Sequence, residues 1–220
     1  MSPEFAAAVD PIFLKVLRAW ERIQLHADLD PTSLHSQLLV GIREADDRLR
    51  SGSQQDAWDL ARYALCAWID DLMINRVWSG QRWWENNKLE FQLFSTNDAG
   101  TLFFQKAKQA QKITNRDAIE VFYIAVVLGF KGLYAVSESH FLSQNYDLPP
   151  TREEWARRAA SMLNTRPTRP ALGGTAQPAS GAPPLDGRLT LVGALLCLLM
   201  LLILSVAVGW WGLYARSATL

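Results

Sequence analysis

Two adjacent carboxylates interrupt an apolar stretch of the chain, and they are the residues best placed to do chemistry. Asp70 and Asp71 lie within ALCAWIDDLMI, residues 64–74. A carboxylate among apolar neighbours is costly to bury unless it is paired or solvated in a cleft. We therefore expect one of two arrangements. Either the pair binds an arginine such as Arg62 or Arg76 or simply faces water, or it lines a polar cleft that receives a partner.

A magnesium-dependent enzyme is the alternative use of these carboxylates. Asp70-Asp71-Leu72-Met73 resembles the start of the aspartate-rich motif of class I terpene synthases, all-helical enzymes that bind diphosphate through Mg²⁺. Asn97-Asp98-Ala99-Gly100-Thr101, followed by Gln105, resembles their second metal motif. Oxygen ligands suit Mg²⁺, but Ile74 and Gln105 stand where further acids are expected. A membrane-tethered prenyl-diphosphate enzyme is thus the second hypothesis, after a non-enzymatic scaffold.

Other chemistry finds no support in the residue pattern. His26, His35 and His140 are far apart and lack the paired spacing of metal ligands. No phosphate-binding glycine loop and no Gly-x-Ser-x-Gly nucleophile motif occurs. The sequence predicts no catalytic residue, no cofactor and no metal site.

Three tryptophans form a second candidate contact site. Trp78, Trp83 and Trp84 are clustered among polar residues in the segment 78–97. They could cap the hydrophobic core beneath a loop, or they could form an exposed aromatic surface of the kind that anchors interfaces. Both interpretations stay open at this stage.

The elements that must position these residues are helices. Asp10-Pro11 and Asp30-Pro31 each predict an N-cap followed by a proline in the first turn. No sustained alternation of the strand type occurs, so we predict an all-α fold of seven to eight helices. The predicted helices are 12–26, 32–50 (closed by Gly52), 54–77 (capped by Ser53), 100–111 (capped by Asp98), 116–128 (capped by Asn115) and 152–163 (opened by a Thr151–Glu154 capping box). An apolar stripe of Trp58, Ala61, Leu65, Trp68 and Leu72 predicts that the third helix faces the core, and the segment 118–130 should be a buried central helix that ends at Gly129.

A membrane anchor is predicted near the C-terminus. Residues 189–214 contain no charged residue, and their apolar part spans roughly 31 Å as a helix, close to the ~30 Å hydrocarbon core of a bilayer. Before them, residues 164–188 are rich in proline and glycine and predict a flexible linker. Residues 215–220 would form a short tail. Within the span, Ser205 and Gly209 form a pair of small residues that favours its self-association as a homodimer.

Localisation follows from the rest of the composition. Residues 1–163 should form a cytoplasmic domain, because the first residues carry no export signal. The tail would then be periplasmic. The chain has a net charge of +0, and the 22 acidic and 20 basic residues before Arg188 give that region a formal charge of −2. No basic patch stands out, which argues against nucleic acid as the main partner.

Several ordered blocks of the chain resemble the DotU/TssL family. The first is ARYALCAWIDD, residues 61–71, which is similar to the family's signature helix. The others are Trp84, Leu89-Glu90, Phe94, Gly100, Phe103-Phe104, Glu120-Val121-Phe122-Tyr123 and Leu128-Gly129-Phe130-Lys131-Gly132-Leu133-Tyr134. The resemblance runs from about Phe13 to Leu163, and the C-terminal anchor agrees with it.

This resemblance implies a structural subunit of the bacterial inner membrane. Family members belong to the type VI secretion system, with a related member in type IVB secretion. The implied partners are a large IcmF/TssM-type membrane protein and a TssK-type baseplate subunit. The family's acidic pair lines a cytoplasmic cleft, and the matching positions here are Asp70 and Asp71. Some members carry a peptidoglycan-binding domain after the span, for which residues 215–220 are too short.

Overall fold

The computed structural model describes residues 1–25, 28–50, 54–136 and 139–164, and every regular element in these ranges is helical. The all-α class is therefore confirmed. Residues 1–167 form one compact unit, and the unit that follows, 168–220, lies outside the described residues. The helices are α1 (Pro3–Gln24), α2 (Pro31–Leu49), α3 (Gln55–Ile74), α4 (Gln81–Asn86), α5 (Leu89–Phe94), α6 (Ala99–Lys112), α7 (Asp117–Val127), α8 (Ser139–Asn145) and α9 (Arg152–Asn164), with a 3₁₀ turn at Gly132–Ala135.

The helix α3 is the centre of the domain. Its predicted stripe is buried at Trp58, Ala61, Leu65 and Trp68, and burial continues around the helix through its middle. Such a helix must be enclosed by neighbours on several sides. It packs against α7 most extensively and also contacts α2, α4, α5 and α6. α3 therefore positions the carboxylate pair near its C-terminal end, within reach of several elements.

The helix α7 is the buried partner of α3, as the apolar segment 118–130 predicts. Among the described residues, Asp117–Ala135 is the one stretch apolar and long enough to cross a membrane by length and composition. It is interrupted, since α7 ends at Val127 and Gly129 adopts a left-handed conformation with φ of 111°. Because α7 packs on α3 inside the domain, we assign this stretch to the core.

The first helix begins earlier than predicted. α1 starts at Pro3 and continues through Pro11, so Asp10 is not an N-cap. Proline has no N–H, and the Ala7 carbonyl loses its usual helical donor. The Arg48 guanidinium of α2 donates a hydrogen bond to that oxygen at 3.5 Å. At the N-terminus, Ser2 donates its backbone N–H and its hydroxyl to the buried Asp117 of α7 at 2.7 and 2.6 Å.

The other predicted helix ends are correct to within three residues. The Asp30 carboxylate caps α2 by accepting from the N–H groups of Thr32 and Ser33, and the Thr151 hydroxyl accepts from the Glu154 N–H at the start of α9. Asp98 is the residue before α6 but makes no side-chain capping bond. The predicted caps at Gly52 and Ser53, the linker, the membrane span and the tail all fall outside the described residues.

Candidate partner-docking site

Asp70 lies in the interior of the domain and is only 3% exposed. Its Oδ1 accepts from the Trp84 indole N–H at 2.8 Å and from the Leu89 N–H at 3.0 Å, and its Oδ2 accepts from the Glu90 N–H at 2.8 Å. Leu89 and Glu90 are the first residues of α5, whose N–H groups have no partner within the helix. The Asp70 carboxylate on α3 therefore caps the N-terminus of α5. Within the described ranges it forms no ion pair with Arg62 or Arg76.

The two arginines that could have paired with Asp70 bind elsewhere. Arg62 forms ion pairs with Asp46 at 3.2 Å and with Asp59 at 3.8 Å. The Arg76 guanidinium lies over the Trp20 ring, 4.9 Å from its centroid. Burial raises the pKa of Asp70 to about 6, while the hydrogen bonds from Glu90, Trp84 and Leu89 act in the opposite direction. The carboxylate is thus stabilised by neutral donors alone.

A second buried carboxylate, Glu90, extends this arrangement. Its Oε1 accepts from the Tyr63 hydroxyl at 2.6 Å, from the Thr96 hydroxyl at 2.8 Å and from the Asp98 N–H at 3.1 Å. Burial, followed by the hydrogen bond to Glu90, raises the pKa of Tyr63. Together, Asp70 and Glu90 fix α5 against α3 and connect it to the segment before α6. Sequence reasoning missed Glu90 as a buried group, because its donors come from α3 and from the segment before α6, and no local pattern links the two.

Asp71, in contrast, is only partly buried and faces the loop after α7. Its Oδ1 accepts from the Asn75 side-chain amide at 2.9 Å. Desolvation raises its pKa to about 6, while a hydrogen bond from the Lys131 backbone and the charge of Lys131 lower it. Lys131 is exposed. Asp71 and Lys131 therefore present opposite charges on one patch of surface, at the C-terminal end of α3.

The three tryptophans of the predicted cluster pack together but differ in exposure. Trp84 is fully buried, whereas Trp78 and Trp83 are partly exposed and pack on the core. Both contact the Trp84 ring, with centroids 6.4 and 6.1 Å away. His35 of α2 contacts the rings of Trp83 and Trp84 edge-on, each at 5.3 Å. The structure therefore brings Asp70 together with the tryptophans, while Asp71 interacts with Asn75 and Lys131.

Gly80 lets Trp78 fold back onto the core. A Cβ atom at this position would lie 2.3 Å from the Trp78 ring and 2.7 Å from the Pro31 side chain. Real Cβ atoms do not approach other atoms so closely. In this position the Trp78 indole N–H donates to the Met73 carbonyl at 2.8 Å. Only glycine provides the space for this arrangement.

The described ranges contain neither a metal-binding cluster nor an activated nucleophile. No group of three or more histidine, cysteine, aspartate or glutamate side chains there is arranged to hold a metal ion. Burial raises the pKa of the Cys66 thiol well above its usual value, which keeps it protonated. Both carboxylate oxygens of Asp70 accept hydrogen bonds from N–H groups. Because these donors occupy the oxygens, the arrangement opposes cation binding. The span residues Ser205 and Gly209 lie outside the described residues.

Comparison with known proteins places this architecture in a family. The family model described as "Type VI secretion system protein DotU" matches residues 4–213. Among solved structures, the cytoplasmic domain of TssL from Acinetobacter baumannii is similar, with a TM-score of 0.59 and 20% sequence identity over 73% of this chain and 96% of that one. SciP/TssL from enteroaggregative Escherichia coli 042 matches with a TM-score of 0.47 and 21% identity, over 57% of this chain and 76% of that one. A comparison with curated proteins finds no match.

The family match and the likeness to the Acinetobacter domain agree with the helical domain described above. The likeness to the Acinetobacter domain concerns the fold, and it covers most of the part of the chain that the structure describes. The DotU family consists of structural subunits of the type VI membrane complex at the inner membrane, with a cytoplasmic domain, rather than of enzymes. Since the family model extends over nearly the whole sequence, this chain belongs to the DotU family of type VI secretion system proteins.

Proposed function

We propose that this chain is the tail-anchored subunit that docks the cytoplasmic baseplate of a type VI secretion system to the envelope complex. Its partners would be an IcmF/TssM-type membrane protein and a TssK-type baseplate subunit. The family match over residues 4–213 supports this role. A stabilising role in type IVB secretion is the alternative within the family, and the description of the matching model favours type VI.

The proposed organisation has four parts. Residues 1–163 form the cytoplasmic domain, residues 164–188 a linker, residues 189–214 a single transmembrane helix and residues 215–220 a periplasmic tail. The uncharged length of residues 189–214 supports the span. The proline and glycine content of residues 164–188 supports a tether that leaves the domain free to reorient.

The docking surface that we propose has two contact points: Asp71 and Lys131 form one, and the exposed parts of Trp78 and Trp83 form the other. The observation that supports it is that the two carboxylates of the acidic pair have different surroundings. Asp70 is occupied by three donors of its own chain, whereas Asp71 keeps a partly exposed carboxylate beside an exposed lysine. Aromatic residues and desolvated charges contribute most to interface energy. Asp70 and Trp84 would support this surface from below without touching the partner.

Binding of the full-length protein to a TssK-type subunit tests this surface. Asp71→Ala and Trp83→Ala should each weaken the affinity at least about tenfold, or ~1.4 kcal/mol. The matched control is Asp59→Ala, since Asp59 is a partly exposed acid on the same helix α3. Undiminished binding by both variants, with unchanged thermal stability, would remove the docking surface while leaving the family assignment intact.

The pH dependence of the same binding gives an independent measurement. Because the pKa of Asp71 is raised to about 6, lowering the pH from neutral through 6 neutralises the carboxylate and should weaken binding. Asp71→Asn should lose this part of the pH dependence, since its side chain does not titrate. Parallel pH profiles for the wild type and the variant would exclude a charged role for Asp71.

We also propose that the transmembrane helix contributes to self-association. Ser205 and Gly209 are four residues apart, a spacing that lets helix backbones approach closely. Replacing both with leucine should reduce homodimer formation of the full-length protein in a membrane two-hybrid assay. The matched control replaces Ala207 and Trp211 in the same way. An unchanged signal from the Ser205/Gly209 variant would place the dimer contact elsewhere.

A further inference from the structure

A groove between α1 and α2 is not used by the function proposed above. The α1–α2 groove has a volume of about 730 Å³ and is lined mainly by Pro11, Leu14, Lys15, Arg18, Leu29 and Leu34. None of its lining residues belongs to the docking surface. From Pro11 to Arg22 it follows α1 for roughly 17 Å, about three helical turns.

The base and rim of the groove are apolar. Ala19 and Leu34 are each 5% exposed and belong to the core, so they close the bottom. Leu14 stands at the edge and is 51% exposed. Exposed leucine beside further apolar side chains in a concave site is typical of surfaces that receive a partner.

One wall of the groove is cationic. Lys15, Arg18 and Arg22 follow one another at intervals of three and four residues and therefore share one face of α1. Within the described ranges, none of the three takes part in an ion pair. Lys15 and Arg22 donate to backbone carbonyls, those of Gln37 at 3.4 Å and Asp28 at 3.3 Å.

The opposite wall does not neutralise this charge. It contributes Ser33 and Gln37, which are uncharged, and Asp30, the one acid among the lining residues. The Asp30 carboxylate already accepts from two N–H groups at the start of α2. Three cations therefore face one anion, and the groove attracts negative charge.

The charge and the shape together restrict the occupant. Residues 165–220 of this chain carry four arginines and a single acid, Asp186. The cationic wall of the groove therefore repels this segment rather than attracting it. A flat lipid surface would meet the rim but would leave a concave apolar base unfilled. An amphipathic helix fills such a groove with apolar side chains at i, i+3, i+4 and i+7, and acids along its edge would match the spacing of the three cations.

We propose that the α1–α2 groove binds an acidic amphipathic helix, about three turns long, of a partner protein. The apolar face of that helix packs on Leu14, Leu29 and Leu34. Its acidic edge pairs with Lys15, Arg18 and Arg22. This surface is separate from Asp71, so a failure of the docking surface leaves the present proposal unaffected, and the converse also holds.

Site-specific photo-crosslinking of the full-length protein in cells tests the proposal. A photoreactive p-benzoylphenylalanine replaces Leu14, and the matched control places it at Val40, which is likewise 51% exposed on α2 but does not line the groove. Mass spectrometry of the adduct should identify a peptide of net negative charge with helical apolar spacing at Leu14 and not at Val40. An adduct with lipid, with a second copy of this chain or with a non-acidic peptide, or no adduct, would overturn the proposal.

Charge reversal checks the role of the cationic wall. Arg18→Glu with Arg22→Glu should reduce the Leu14 adduct at least tenfold, and the milder Arg18→Gln should reduce it less. Arg43→Glu, an exposed arginine of α2 outside the groove, should leave it unchanged. Circular dichroism of each variant verifies that the domain is folded. Equal loss of the adduct in the Arg43 control, or no loss in the double variant, contradicts electrostatic recognition at this wall.

Discussion

Asp70 and Glu90 carry carboxylates into the interior of the domain, and within the described ranges neither forms an ion pair. Each is compensated by three donors of the chain itself. Buried polar groups of this kind stabilise a structure only when they are fully satisfied, and removing one member leaves the others without a partner. A substitution of Asp70 therefore destabilises the domain by leaving the N–H donors of Trp84, Leu89 and Glu90 without an acceptor.

Substitution of Asp70 should consequently affect stability. Asp70→Ala leaves three buried N–H groups unpaired and should lower the free energy of unfolding by roughly 3 kcal/mol or more. Asp70→Asn keeps one acceptor oxygen but turns an N–H₂ group towards a donor, and it should cost about 1–3 kcal/mol. Chemical denaturation of the full-length protein in detergent measures both.

The neighbouring residue provides the control. Asp71→Ala removes a partly exposed carboxylate and should cost less than about 1 kcal/mol. Equal stabilities of the Asp70→Ala and Asp71→Ala variants would contradict the assignment of Asp70 to the interior. The sequence could predict that the pair is unusual, but not that its two members have different surroundings, because the donors to Asp70 lie 14 to 20 residues away.

At the scale of elements, the segment between α3 and α5 depends on close packing at Gly80. Gly80→Ala places a methyl group against the Trp78 ring and Pro31, so the indole must move and its hydrogen bond to Met73 is lost. We expect a loss of about 1–3 kcal/mol. It should appear in denaturant unfolding monitored by far-ultraviolet circular dichroism.

A second glycine offers a matched control for this substitution. A Cβ at Gly41 of α2 would meet only Ile12, at an ordinary contact distance of 3.5 Å. Alanine in a helix interior is favoured over glycine by roughly 0.5–1 kcal/mol, so Gly41→Ala should be neutral or stabilising. If both variants lose the same stability, close packing at Gly80 is not the cause.

The helices that could be predicted are those whose signals are local. The Asp30 cap, the Thr151 cap and the apolar stripe of α3 need only a few neighbouring residues, and the structure has all three. α4 and α5 were missed because six residues are too few for a periodic pattern. The start of α1 was misplaced because Pro11 looked like a first-turn proline, whereas Arg48 of another helix satisfies the carbonyl that it leaves free.

The candidate site was harder to predict than the fold. The residue types alone predict a contact site in this region of the chain, at Asp70, Asp71, Trp78, Trp83 and Trp84. Their division into buried and exposed groups depends on where α5 and the loop after α7 pack. Such contacts join segments that are distant in the sequence, and no local pattern encodes them.

At the scale of the whole molecule, the helical domain and the anchor should be separable. Residues 1–163 contain the buried core of the part of the chain that the structure describes, so they should unfold cooperatively in denaturant without the rest of the chain. They should nevertheless fail to restore secretion in a deletion strain, because they lack the proposed anchor that would hold the domain at the membrane. The full-length chain is the control for expression, and restored secretion by the truncated form would show that the anchor is dispensable.

The long-range contact between Ser2 and Asp117 has a consequence for the order in which the domain is built. The bonds of Asp70 close loops of 14 to 20 residues, whereas the bonds of Ser2 close one of 115. For a flexible chain the longer loop costs about 1.6 kcal/mol more in entropy than the 20-residue loop. During synthesis, α3 and α5 can associate once about half of the domain has left the ribosome. The first residues of α1 must wait for α7, so the chain's beginning is among the last parts to be fixed.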